Sequence, residues 1–334
     1  MTKKTRYFVL ASVAVLGVGL TTGLVASYMG LPVQVFSQAA GPDELQYVPA
    51  DASLVAYANV REVMNSEFRQ RFRQLEPESR ERDDFQQKTG LDIEHDIDSV
   101  VAAVVGGAAL DDAEHGMLVL ARGRFQQAQL ESLALEHGGR VDEYEGIRLL
   151  RTPMERRGGT KGDDLAMGFL EADVVALGSY DAVRQAIDTT RSGRNVISNT
   201  ELMRQVGEVE GNNAWAVGRF DAIAREAKLP SEVQAQIPAL TWFTAAGHIN
   251  GGVSGVLSAE ARDDESAQNV RDMVRGFLAL ARMQSGGNAG MKAMVDSLQL
   301  TGDGRTVSVA FSVPTEVFEA LEAMGRQRQG GDRR

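Results

Sequence analysis

Two short acidic stretches of this chain contain side chains of the types that bind metal ions. The first runs from Asp92 to Asp98 and the second from Asp111 to His115. Carboxylate oxygens suit Ca²⁺ and imidazole suits Zn²⁺, so the weak candidate ligands are Asp96, Asp98, Asp111 and His115. A calcium loop starting at Asp92 would need glycine sixth and glutamate twelfth, where this chain has Ile97 and Ala103. A solvated strand edge and a charged hairpin tip explain both stretches without a metal, so we expect no metal and no cofactor.

The motifs of nucleophilic catalysis are also missing from the sequence. Ser254 has Gly252 before it, but Val256 stands where a nucleophile elbow needs its second glycine. None of the six lysines follows a serine by three positions, and the chain has no cysteine to supply a thiolate. We therefore name no catalytic residue. A hydrolase assembled from distant carboxylates and a histidine is retained as a less favoured alternative.

The N-terminal segment has the length and flanking charges of a membrane anchor. From Phe8 to Leu31 there are 24 residues without a charge, preceded by Lys3, Lys4 and Arg6. As a helix, this run would be roughly 36 Å long and would cross a hydrocarbon layer of about 30 Å. Its basic flank should stay cytoplasmic, so the C-terminal body is expected on the far side. A signal peptide cleaved after Ala39 is the rival interpretation, although its apolar core would be unusually long.

Small residues line one side of this predicted anchor. Gly19, Gly23 and Ser27 are spaced by four, so they share a helix face on which two helices can approach closely. The spacing predicts self-association in the membrane and hence a homodimer as one arrangement.

The body that follows is strongly acidic. The formal charge is −11 overall and +3 over residues 1–40, so residues 41–334 carry −14. Such a body repels the phosphates of nucleic acid, and we expect no nucleic-acid partner. Its last nine residues, 326–334, form a basic tail with four arginines and one aspartate.

A displaced repeat of strand and helix patterns indicates an internal duplication. Residues 53–60 match 213–220 at a displacement of 160, and the apolar positions 130, 133, 134 and 137 of one helix match 270, 273, 274 and 277. We predict an α+β fold of antiparallel sheets covered by helices. Hairpin turns are expected at 111–112, 250–252 and 302–304, and a capping box at Ser198 and Glu201 starts the second half. The predicted segments are a cytoplasmic stub and anchor (1–36), a linker (37–46), a first repeat (47–194), a second repeat (195–325) and a disordered tail (326–334).

Four stretches resemble a group of uncharacterised, membrane-anchored bacterial envelope proteins. They are Pro49–Tyr57, Asp96–Val101, Leu118–Phe125 and Asn213–Phe220. The resemblance implies a bacterial envelope setting, and it carries no active site. Together with the predicted anchor and its basic flank, this predicts a single-pass protein of the bacterial plasma (inner) membrane with a periplasmic body. With no catalytic motif, the favoured function is a protein-binding or scaffolding module of the envelope. The alternative is a binder of a small or lipidic ligand in a groove between the repeats, walled by Trp242 and Phe243.

Overall fold

The computed structural model describes residues 41–73, 86–105, 116–136, 138–153, 164–220, 239–285 and 289–314. Their helices are α1 (Val60–Asn65), α2 (Glu67–Arg73), α3 (Ile93–Asp96), α4 (Gln127–Glu136), α5 (Tyr180–Ser192), α6 (Thr200–Val209), α7 (Asp264–Gln284) and α8 (Ala289–Ser297). Two 3₁₀ helices span Asp43–Tyr47 and Val196–Ser198.

The strands are β1 (Leu54–Ala58), β2 (Ile97–Val104), β3 (Met117–Gly123), β4 (Arg140–Tyr144), β5 (Ile147–Thr152), β6 (Leu165–Glu171), β7 (Val174–Ser179), β8 (Ala214–Arg219), β9 (Leu240–Ile249), β10 (Gly252–Ala261), β11 (Gln299–Thr301) and β12 (Thr306–Pro314). All of them join one antiparallel sheet in the order β11-β12-β10-β9-β8-β1-β2-β3-β7-β6-β5-β4. The predicted mixture of helices with antiparallel strands is therefore confirmed, but the strands form a single sheet where several were expected.

The strand order is mirrored about the central pair, β1 and β8. Outward from β1 the sheet continues β2, β3, β7, β6, and outward from β8 it continues β9, β10, β12, β11. On the first side the β4–β5 hairpin extends the sheet further, so four described strands follow α4, whereas two follow α7. The two ends of the sheet are the edge strands β4 and β11.

Both faces of the sheet are covered by helices. On one face, Val101, Leu118 and Leu120 join a core with Ile187 of α5 and Leu202 of α6. On the other, Val100, Ala102, Val119 and Ala121 form a second buried cluster together with Val60 of α1. Successive side chains of a strand point to opposite faces, so these near-continuous apolar strands are buried on both sides.

Local signals in the sequence predicted turns better than helix starts. The turns at 250–252 and 302–304 are confirmed, since they join β9 to β10 and β11 to β12; 111–112 lies outside the described residues. The predicted capping box at Ser198 and Glu201 was wrong. Asn199 caps α6, because its side chain accepts a hydrogen bond from the backbone N–H of Leu202. Residues 43–46, interpreted as linker, belong to a 3₁₀ helix in which Leu45 is fully buried.

Candidate functional site

Helix α7 is the longest described helix, and each of its ends carries residues that are favourable at that end of a helix. The Asp263 side chain accepts a hydrogen bond from the backbone N–H of Ser266, and Asp264 and Glu265 occupy the first turn. Arg282 lies in the last turn. These charges are favourable because a helix is partly positive at its N-terminus and partly negative at its C-terminus.

One side of α7 packs on the second half of the sheet. Ala267 and Val270 are buried there against Ala261 of β10 and Val307 of β12, and Val274 continues the same contact. Their spacing of three and four residues is that of an amphipathic helix. This contact holds α7 beside the edge of the sheet.

A second group of apolar side chains on α7 faces solvent. Phe277 is 45% exposed, Leu280 49% and Met283 81%. At about 100° of rotation per residue, Leu280 and Met283 lie well away from the buried stripe around Val270. We call these three residues the outer apolar surface of α7. Large apolar side chains that cluster at a surface are typical of interaction sites.

A groove of about 330 Å³ separates α7 from edge strand β11. Helix α7 contributes four side chains spaced by four, three and four residues, which places them on one face. They are Arg271, Arg275, Leu278 and Arg282, and the opposite wall is formed by residues 298–302. We call this feature the arginine groove; it flanks the buried stripe on the side opposite to Leu280 and Met283.

The three arginines of the groove are not equally engaged. Arg271 donates hydrogen bonds to the carbonyl oxygens of Gly304 and Thr306, the latter at 3.0 Å, and so holds the β11–β12 turn. Arg275 pairs with Asp272 of its own helix at 2.6 Å, with both side chains largely exposed. Arg282 donates to the Leu298 carbonyl at 3.4 Å and has no acidic partner within the described ranges. Arg282, and the N–H groups of Arg275 that do not bond to Asp272, can therefore receive an outside anion.

The wall opposite these arginines is an open sheet edge. Strand β11 pairs with β12 along Gln299–Thr301, and no described strand lies on its other side. The outward backbone N–H and C=O groups of an edge strand can pair with a further extended chain. The arginines of α7 and this edge strand thus line the same groove.

The predicted metal ligands that the structure describes are paired with arginines. Arg124 lies 3.2 Å from Asp96 across the β2–β3 region, and Arg61 pairs with Asp98. Asp92 caps α3 and contacts His95 at 2.8 Å. Throughout the described ranges, no three His, Asp or Glu side chains gather as a metal site would need. Asp111 and His115 lie outside those ranges.

The residues predicted to act in the membrane lie outside the described part of the chain. These are Gly19, Gly23 and Ser27, together with the whole segment from Phe8 to Leu31. None of the helices that the structure describes has both the length and the apolar character needed to cross a bilayer.

The predicted wall between the repeats does not form as one surface. Trp242 packs against the main core. Phe243 is its neighbour on β9 and points to the opposite face of the sheet. Between the halves the structure has the hydrogen-bonded β1–β8 pair.

A buried polar cluster ties the first 3₁₀ helix to the sheet. Glu44 is only 2% exposed, and it accepts hydrogen bonds from Arg122 Nε at 2.7 Å and Ser99 Oγ at 2.8 Å. Arg122 also pairs with the more exposed Asp173 at 2.6 Å. Burial lowers the pKa of Arg122, but its two carboxylate partners more than reverse that effect and raise it. The cluster is compensated internally, so it holds structure without leaving a free reactive group.

Tyr47 lies in the same region, and its surroundings predict that the stability of the fold depends on alkaline pH. Its hydroxyl donates to Glu171, and burial, followed by that hydrogen bond and the charge of Glu171, raises the pKa of Tyr47. A raised pKa in the folded state stabilises the fold below the unfolded value of about 10, and this contribution is lost as pH rises further. In Tyr47→Phe, the free energy of unfolding should therefore fall less steeply with pH above about pH 10 than in the unsubstituted chain. The two slopes should differ by at most the contribution of one bound proton. Urea titrations of both chains at several pH values measure this difference. Equal slopes in the two chains would contradict the role given to Tyr47.

The arginine groove was not predicted from the sequence. The spacing of Arg271, Arg275 and Arg282 places them on one helix face and was a usable signal. What it could not indicate was the wall opposite, because β11 has only three residues and is hard to detect by alternation.

Similarity to known proteins is found at the level of solved structures. No family model matches the chain, and no curated protein matches it. A solved structure titled "Structure of crystal form I of TP0453" is similar to it with a TM-score of 0.43 and 11% sequence identity, over 85% of this chain and 98% of that one.

Proposed function

We propose that this chain is a membrane-anchored protein of the bacterial envelope whose extracytoplasmic body binds a partner protein through α7. The observation that carries the proposal is the outer apolar surface, Phe277, Leu280 and Met283, which lies on the same helix as the arginine groove. Full burial of a side chain of this size contributes about 1.5 to 3 kcal/mol. A partner that covers all three would therefore gain substantial binding energy from this surface.

The position of the first buried residues supports a body held close to the membrane. With Phe8 to Leu31 as the anchor, eleven residues, 32–42, separate the bilayer from the 3₁₀ helix at Asp43–Tyr47. At no more than about 3.5 Å per residue, they reach at most roughly 39 Å. A tether of that length raises the effective concentration of the body toward other proteins in the same membrane layer.

The body itself is best explained as a duplicated unit. The mirrored strand order supports this, as does the register of the central pair, where Ala56 lies opposite Ala216, its counterpart at the displacement of 160. Glu44 and Arg204 are also 160 apart, and each pairs at 2.7 Å with the third strand of its half, Glu44 with Arg122 and Arg204 with Glu260. The acidic and the basic residue exchange places between the two halves, but each ion pair joins equivalent positions.

Cross-linking in cells tests the proposed binding surface. A photoreactive amino acid at Met283 should capture one extracytoplasmic protein, and Leu280→Glu should lower its recovery at least tenfold, because a buried apolar contact becomes a buried charge. Leu135→Glu on α4 is the matched control, since Leu135 is also 49% exposed. It should leave recovery unchanged.

Either of two results would contradict the proposal. One is equal loss of the cross-link in both glutamate variants when both unfold at the same urea concentration as the unsubstituted chain. The other is capture of a cytoplasmic protein from Met283, which would place the body on the wrong side of the membrane.

A further inference from the structure

We infer that the arginine groove binds an extended acidic segment of the partner, which adds to the sheet as a strand beside β11. This inference rests on the proposed function and specifies the chemistry of its ligand. It follows from the position of the edge strand, from the spacing of the arginines and from the charge of the body.

The sheet edge provides the pairing surface. Strand β11 contributes Gln299–Thr301, joined to β12 on one side only within the described chain. A segment that lies along the open side would pair with its backbone, which is the mode of recognition known as strand addition. Three residues offer few backbone hydrogen bonds, so most of the selectivity must come from side chains.

The arginines supply that selectivity. Arg275 and Arg282 are seven residues apart on α7, which is about 10 Å along the helix axis. Alternate side chains of a strand point the same way and recur about every 7 Å. Carboxylates two or four positions apart in the added strand are thus within side-chain reach of both guanidinium groups, which can bind a carboxylate in a bidentate manner.

The net charge favours a peptide segment over an anionic membrane surface. Residues 41–334 carry −14, so a flat anionic bilayer would meet repulsion from the whole body. A single extended segment meets only the local groove, whose described lining carries three arginines and no carboxylate, with Asp272 beside it paired to Arg275. The edge strand also needs backbone partners, which neither a lipid headgroup nor free phosphate provides.

The chain has no cysteine, which allows a direct test by reversible disulfide exchange in the full-length protein in detergent. Gln299→Cys places one thiol in the groove, and Val141→Cys places one on β4, the opposite edge strand. Each is equilibrated with two thiol-bearing peptides, one alternating valine with glutamate and the other valine with lysine. At Cys-substituted position 299 the glutamate peptide should be favoured about tenfold, as two partly exposed ion pairs would give. At position 141 it should not be favoured.

Two variants separate charge from strand pairing. Arg275→Gln with Arg282→Gln should reduce the preference at position 299 to that at position 141, and N-methylation of alternate backbone nitrogens of the glutamate peptide should abolish it. Equal binding of both peptides at position 299, or a preference that survives either change, would overturn the inference. If that happens while Met283 still captures a partner and Leu280→Glu prevents it, the proposed function stands and only this site is lost.

Discussion

Replacing Arg122 with methionine will lower the free energy of unfolding of the body by about 3 kcal/mol, because Glu44 is then left charged and buried without its cation. Removal of one partner of a buried ion pair costs about 3 to 5 kcal/mol, and the lower figure applies because the Arg122 side chain is 24% exposed. The remaining donor to Glu44 is the hydroxyl of Ser99, which compensates only in part. Urea denaturation followed by circular dichroism measures the change.

The double variant Glu44→Gln with Arg122→Met separates the charge effect from lost contacts. It removes the uncompensated carboxylate, so it should recover more than half of the loss. A double variant as unstable as Arg122→Met alone would show that the arginine stabilises the fold through its aliphatic stem, and the role given to Glu44 would be wrong. Replacement of the exposed Arg305, which lies 3.3 Å from Glu260, should cost no more than about 1 kcal/mol.

Replacing Trp215 with alanine will destabilise the whole body by about 3 to 5 kcal/mol. Trp215 is buried in β8, directly opposite Tyr57 of β1, with the two ring centroids 5.6 Å apart. A cavity at this position weakens the strand pair through which the two halves of the sheet meet. Because the sheet is continuous across that pair, we expect one cooperative transition at a lower urea concentration.

The sequence allows this cooperativity to be measured cleanly. Trp242 on β9 is the only other tryptophan, so its fluorescence in Trp215→Ala reports the second half alone, while circular dichroism reports both. Coincident transitions are expected for a single cooperative unit. Separate midpoints would show that the halves fold independently and that the central pair joins two domains. Trp215→Phe, which keeps a ring beside Tyr57, should cost much less.

The candidate site shows where periodicity stops being informative. Val270 and Phe277 belong to one apolar helical pattern, yet the first is buried and the second is 45% exposed. Helical spacing identifies which side chains share a face, but it does not specify where the neighbouring surface ends. The same limit applies to the weak candidate ligands Asp96 and Asp98, because no local pattern indicates that Arg124 and Arg61 lie beside them.

Properties that depend on neighbouring residues were determined by the sequence alone. These are the alternation of strands and helices, the turns at 250–252 and 302–304, the charge of −14 and the apolar run that predicts an anchor. Each follows from backbone preference, hydrophobic period or simple counting.

Only the tertiary structure decided how distant segments meet. It joined the twelve described strands in one sheet, paired Glu44 with Arg122 across 78 residues, and placed the three-residue strand β11 opposite the arginines of α7. Many alternative pairings satisfy the same local patterns, and the one adopted is the one that buries both faces of the strands while leaving buried charges compensated. The exposed surface of α7 remains after that burial is complete, and for that reason it could not be identified from the pattern alone.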